Sequence, residues 1–199
     1  RRMASAVKQE ADSPDASSSE FTLWLSYLNR SQDEWAEAED WEVTRKYFYP
    51  TVTGISQATV LLPLDFKTLA GPVRQFFPSQ AAATEINKIN DEQKYLTTSK
   101  DQFLTIVGDN SAGRALVFAP ATLASGASIQ VTYFSMPTAL AAAAQYPIVP
   151  DPSFLVDRTV AYIFEARSDP RFQIMENKAR ERLLNMVQMA NEDKYANYS

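Results

Sequence analysis

At 199 residues, with 45% apolar and 12% aromatic side chains, the chain is long enough to bury one substantial core, or one core carrying a sizeable insertion. It contains neither cysteine nor histidine, which excludes thiol nucleophiles, disulfides, the usual zinc ligand sets and Ser-His-Asp triads, and leaves acid–base work to carboxylates, Lys or Tyr. Net charge is −5, from 24 acidic and 19 basic side chains, which is the wrong sign for gripping a nucleic-acid backbone, and no run approaches the roughly 20 apolar residues of a membrane span.

Residues 1–18 are small, polar and aperiodic, without the apolar stretch of a secretory leader. Such a segment cannot bury enough apolar area to offset its ordering entropy, so a flexible arm is expected. From Ser19 the character changes. Ser19 can cap a helix, and Phe21, Trp24, Leu25, Leu28, Trp35 and Ala38 keep one helical face, predicting a helix to about Tyr47, continuous or broken near Asn29 to Gln32, within a segment 19–50. The three tryptophans, Trp24, Trp35 and Trp41, all fall in it. Asp33, Glu34, Glu37, Glu39, Asp40 and Glu42 fall within ten residues that hold no Lys or Arg. Their spacing does not gather them as a metal site, because 33, 37 and 40 line one side of a helix while 34, 39 and 42 scatter.

Residues 51–137 change period. Thr59–Pro63, Val73–Phe77, Thr84–Ile89, Phe103–Val107, Arg114–Phe118 and Ile129–Phe134 read as strands, separated by turn signals such as Gly71-Pro72, Pro78-Ser79 and Ser125-Gly126. Asp65-Phe66-Lys67 reads as a turn, and Asp91–Tyr95 as a helical turn or an extended loop. Strands at this spacing without intervening helices predict an antiparallel sheet or small sandwich. Residues 138–150 form an alanine-rich linker that Pro147 and Pro150 keep from becoming a long helix.

Residues 151–199 read as a helical hairpin and a tail. Asp151 can cap with Pro152 at the first helical position. Leu155, Thr159, Tyr162, Ile163 and Ala166 then mark one stripe, and after Ser168-Asp169-Pro170 a second runs through Phe172, Met175, Ala179, Leu183, Met186 and Ala190. Two amphipathic helices joined by a short link lie antiparallel and must close on something. Trp24, Trp35, Leu155, Tyr162, Ile163, Leu183 and Met186 are therefore the expected helix-packing residues. The fold class is α+β: a helical bundle with an inserted antiparallel β-sheet or sandwich.

No phosphate-cradling loop is present, and the five glycines fall at turns. Asp109-Asn110-Ser111-Ala112-Gly113 lacks the alternating ligands and closing Glu of a calcium loop and reads as a hairpin turn. No cofactor and no metal are expected, and no pair of carboxylates stands out for catalysis.

Several strings, taken in order, resemble a known family. Trp41 and Arg45 precede Leu62-Pro63-Leu64-Asp65-Phe66. The β module then ends Ile129-Gln130-Val131-Thr132-Tyr133-Phe134-Ser135-Met136-Pro137, and Pro150-Asp151-Pro152-Ser153-Phe154-Leu155-Val156 opens the closing hairpin. This resembles the head-to-tail connector (neck) adaptor proteins of tailed bacteriophages, the tail tubular protein A group of short-tailed phages in particular, over roughly residues 20–190. The resemblance implies a structural virion protein, without catalysis, that forms a homo-oligomeric ring of roughly twelve subunits beneath the portal protein. Such a ring presents a downstream neck, tail or nozzle protein and lets genomic DNA pass without sequence-specific binding. It implies a virion location, assembly in the host cytoplasm and no membrane partner. Carried to this chain, the portal-docking tail runs from Gln188 to Ser199, with Gln188, Met189, Tyr195 and Tyr198 as candidates. Asp33, Glu34, Glu37 and Asp40 are the candidate acidic channel or surface face. Two other readings stay open: another neck or tail component such as a stopper, tail-completion or hub protein, and a carboxylate-based hydrolase or small-ligand-binding protein.

Overall fold

The structure, a computed structural model, describes residues 18–50, 59–77, 82–89, 103–109, 113–119, 127–142 and 145–196. The expected N-terminal arm, up to residue 17, the segment Asp91–Tyr95 and Tyr198 lie outside the described residues. The fold is α+β, with three helices and a curled mixed sheet. It divides into two compact units: a helical unit of the chain up to Thr44 and from Pro137 onward, and a β unit of Arg45–Met136.

In the helical unit, α1 runs Ser19–Ala38 and is capped by Ser18, whose side chain accepts from the Phe21 N–H at 3.1 Å. The helix stops well short of Tyr47. Its last turn carries acidic rather than basic side chains, which opposes the negative end of the helix dipole, and Glu39 is extended. Trp41 then folds back: its indole stacks on Trp35 with centroids 4.9 Å apart, and its N–H donates to the Trp35 carbonyl at 2.6 Å. That carbonyl is one of those a finished helix leaves without a partner. A short 3₁₀ turn at Glu42–Thr44 follows.

The hairpin is α2, Pro152–Ala166, and α3, Phe172–Ala196. Asp151 caps α2, accepting from the Ser153 N–H at 2.9 Å, with Pro152 in the first turn. The link closes as a Schellman motif: Ser168 N–H donates to Glu165 O at 3.0 Å and Asp169 N–H to Phe164 O at 2.8 Å, with Ser168 at φ 52°. Trp24 packs in a cluster with Val160, Ile163 and Phe164, flanked by Tyr27, Val156, Phe172 and Met175. The incoming 137–150 segment is clamped by α1. Asn29 accepts from the Leu140 N–H at 2.8 Å and donates to the Leu140 carbonyl at 2.9 Å, while Gln32 donates to the Thr138 carbonyl at 3.0 Å.

The β unit opens earlier than its periodicity indicated, because Arg45–Phe48 is a strand, β1, rather than helix. It is followed by β2 (Thr59–Leu61), β3 (Phe66–Leu69), β4 (Val73–Phe76), β5 (Thr84–Lys88), β6 (Phe103–Asp109), β7 (Gly113–Ala119) and β8 (Ser128–Ser135). The strand order is β1-β8-β4-β5-β6-β7-β2, with β3 also on β8. The ladders are antiparallel except β5 with β6, which run parallel through Asn87 and Lys88 beside Phe103 and Leu104. Asp65–Lys67 is therefore not simply a turn: Phe66 starts β3, which reaches β8 through a register shift between Phe66 and Thr68. Asp109 and Gly113 face each other across β6 and β7, the pairing of a hairpin. Alternation sends Val73, Ile86, Leu104, Leu116, Ile129, Val131 and Tyr133 to one side, where they form the core with Val60, Leu62, Phe66 and Phe118. Each fully buried Val, Leu or Ile of that kind contributes roughly 1.5–3 kcal/mol.

Candidate functional site

Among the described residues of the helical unit, a densely connected polar cluster centres on Arg158, on α2 between Leu155 and Tyr162. Its side chain is only 18% exposed. The guanidinium donates to both oxygens of Glu34 on α1, at 2.6 and 3.1 Å, pairs with Glu176 on α3, and lies over the Tyr162 ring at 4.5 Å. The Tyr162 hydroxyl donates to Glu34 as well, and Arg30 covers the same ring at 4.3 Å. One cation thus ties all three helices. Arg158 was not picked out from the sequence. The available signal was an arginine on the apolar stripe, three residues after Leu155 and four before Tyr162, where a buried charge requires partners.

The structure separates the four acidic candidates. Glu34 is committed to Arg158 and Tyr162 inside the subunit. Asp33 and Glu37 are exposed one turn apart on α1, and Asp40 is half-buried beyond the helix end, its N–H donating to the Glu39 carboxylate at 2.9 Å. The Asp33 carboxyl sits above the usual carboxylate range, first because of partial burial and second because of the neighbouring Glu37 charge. Among the described residues no three acidic side chains gather as a metal site.

The helix-packing candidates are spread over α1, α2 and α3. Trp24, Trp35, Leu155, Tyr162, Ile163 and Met186 are buried, and Leu183 is half-buried. Ala166, at the end of the first stripe, is exposed instead.

Three of the docking candidates, Gln188, Met189 and Tyr195, fall on α3, which at 25 residues is longer than the 15 of α2. At 1.5 Å per residue these are about 38 and 22 Å. Arg182 reaches Asp157 at 2.6 Å and Asp151 at 3.3 Å, so α3 is already level with the start of α2 near residue 182. The helix from about Val187 onward therefore runs past its partner. Gln188 and Met189 are exposed on that stretch, Met189 by 67%. Tyr195 lies in the last helical turn. The segment expected to be a tail that orders on binding is thus helix as far as Ala196.

The two ends of the chain form one helical unit, and the β unit is inserted between them in sequence. The chain belongs to the SU10 adaptor protein family, whose sequence profile matches residues 2–198. It is thus a phage structural adaptor, a component of the virion that meets other capsid or tail parts. The match is to this adaptor family and does not extend to tail tubular protein A in particular. A structural adaptor is not an enzyme class. No curated protein matches the chain. Among the described residues, no helix is long and apolar enough to cross a membrane.

Proposed function

We propose that the chain is a head-to-tail adaptor whose copies form a ring, roughly dodecameric, beneath the portal, joining capsid to tail and enclosing the DNA channel. The observation that carries this reading beyond the family is the overhang of α3. A helix that outruns its hairpin partner, with Gln188 and Met189 exposed, suits insertion into a groove on a neighbouring protein, where apolar anchors recur on one helical face. Being already helical, it loses less entropy on docking than an unstructured tail. Gln188, Met189, Tyr195 and Tyr198 are the docking residues of this reading. The downstream partner is a neck, tail or nozzle protein, and DNA passes without base recognition. Asp33, Glu37 and Asp40 contribute negative charge that repels the DNA backbone if they face the channel. Glu34 is set apart from them by its pairing with Arg158. Assembly takes place in the host cytoplasm.

The test is the mass of the purified chain alone and after mixing with the portal of its own phage, by light scattering and negative-stain microscopy. A ring seated on the portal, lost when Gln188–Ser199 is removed, is the expected outcome. A compact monomer that ignores the portal would overturn the reading.

A further inference from the structure

The helical unit carries two exposed polar stripes, on different sides. On α1, Arg30, Asp33 and Glu37 recur at spacings of three and four, all of them exposed, on the side turned away from the buried Trp24 and Trp35. On α3, Gln173, Asn177 and Arg180 recur at spacings of four and three and are likewise exposed. Met175, which packs against the Trp24 cluster, lies about half a turn of helix from that stripe, so the stripe faces away from α1.

Their open charges are opposite. Arg30 is occupied by Glu34, at 3.9 Å, and by the Tyr162 ring, at 4.3 Å, which leaves Asp33 and Glu37 as the open charges of the α1 stripe. The α3 stripe carries Arg180 and no acid, and the carboxylate one turn before Arg180, Glu176, is taken by Arg158. Farther round α3, Lys178 and Glu181 carry opposite charges and add no net charge. Among the described residues the side chains of Asp33, Glu37 and Arg180 make no hydrogen bond or ion pair within the subunit.

The two stripes also stand at the same height. Glu20 meets Arg167 and Glu34 meets Arg158 across α1 and α2, while Arg158 meets Glu176 and Arg182 meets Asp157 across α2 and α3. Both outer helices are thus antiparallel to α2 and parallel to each other, and Arg158 marks a level shared by Glu34 and Glu176. Counted from that level at 1.5 Å per residue, Arg30 and Gln173, Asp33 and Asn177, and Glu37 and Arg180 differ in height by only about 1.5–3 Å.

We infer that the α1 stripe of one copy docks on the α3 stripe of the next, with Asp33 and Glu37 facing Arg180 and the Asn177 amide. This rests on the ring assembly proposed above, and it turns Asp33 and Glu37 toward the neighbouring copy rather than the channel. Rotation about a ring axis along which the helices run leaves heights unchanged, so stripes that match in height within one subunit match between neighbours. Two different stripes make a heterologous contact, which repeats around a closed ring, whereas the acidic stripe laid on its own copy brings like charges together.

Glu37→Arg and Arg180→Glu are made separately and together in the full chain, at exposed positions where folding is checked by circular dichroism and Tm. Each is mixed with the portal, and the fraction of chain in rings is read by light scattering and negative-stain microscopy. Either single variant sets like charges face to face at every contact and is expected to lower that fraction at least about fivefold at low salt. The loss shrinks in about 1 M salt, where charges are screened within about 3 Å. An equal mixture of the two single variants is expected to regain rings, because alternating copies again set opposite charges at every contact, and the chain carrying both substitutions regains them alone. Full assembly by either single variant would overturn the contact and leave the ring standing. Rings lost by the single variants and not regained in the mixture would overturn the pairing between copies. Absence of rings for the unsubstituted chain, with and without portal, would overturn both the contact and the ring.

Discussion

Replacing Arg158 by methionine removes a cation shared by α1, α2 and α3, leaving Glu176 without it and Glu34 with only the longer contact to Arg30 at 3.9 Å. Breaking a fully buried ion pair on one side costs about 3–5 kcal/mol. Glu34 and Glu176 keep 31% and 33% of their side-chain surface, so solvent screens the stranded charges and roughly half of that cost remains. Losing the guanidinium over Tyr162 adds about 0.5–1 kcal/mol. The expected destabilisation is about 2–3 kcal/mol, a drop in Tm of roughly 5–10 °C for a chain of this size. Urea unfolding of Arg158→Met, Glu34→Gln and the double variant closes a thermodynamic cycle. The double variant strands fewer charges, so it should fall short of the summed single losses by at least about 1 kcal/mol. An Arg158→Met loss under about 0.5 kcal/mol, or strict additivity in the cycle, would refute the view that this network ties the three helices.

Ser168 holds φ 52° at the αL position of the Schellman motif; Ser168→Gly removes that strain and should raise stability by about 0.5–1 kcal/mol in chemical denaturation. Gly108 sits at φ 91°, and a Cβ there would lie 2.2 Å from the Gly113 carbonyl oxygen, so Gly108→Ala should cost at least about 1–2 kcal/mol, read as a lower urea midpoint with unchanged m. Gln75 on β4 is fully buried, and neither its amide nitrogen nor its oxygen has a protein partner; Gln75→Met keeps the volume without the desolvated amide and should gain about 1 kcal/mol by the same assay. Asp169 is held down to about 2, chiefly by its hydrogen bonds to Arg171, so its contribution to stability is present above the ordinary carboxylate range and is lost as pH falls from about 4 toward 2. A carboxyl NMR titration should place its midpoint near 2, and Arg171→Ala should return it toward 3.8.

The hairpin was the most legible part of the fold because local rules decide it. Asp151-Pro152 starts α2, and each helix shows its inward stripe at helical spacing without reference to anything distant. The end of α1 was illegible for the opposite reason. Trp41 continues the apolar period of the helix, and only the backbone path shows that its indole returns to Trp35 and takes the carbonyl at which the helix stops. Once α1 ends, Tyr47 and Phe48 are free to follow their strand preference, and β8 supplies the partner. The parallel ladder of β5 and β6 was likewise hidden, since strand direction is set by a long connection rather than by the residues that pair.

The surface was harder to read than the core, and the acidic segment shows why. Six carboxylates in ten residues look equivalent in sequence, yet Glu34 is spent inside the subunit on an arginine 124 residues away, while Asp33 and Glu37 remain outside. A structural adaptor acts through surfaces, and surfaces acquire meaning only against a partner. The same holds for Tyr47 and Leu61. Each is an ordinary strand residue in the sequence, and only the strand order puts them at opposite ends of one sheet, with both side chains largely exposed.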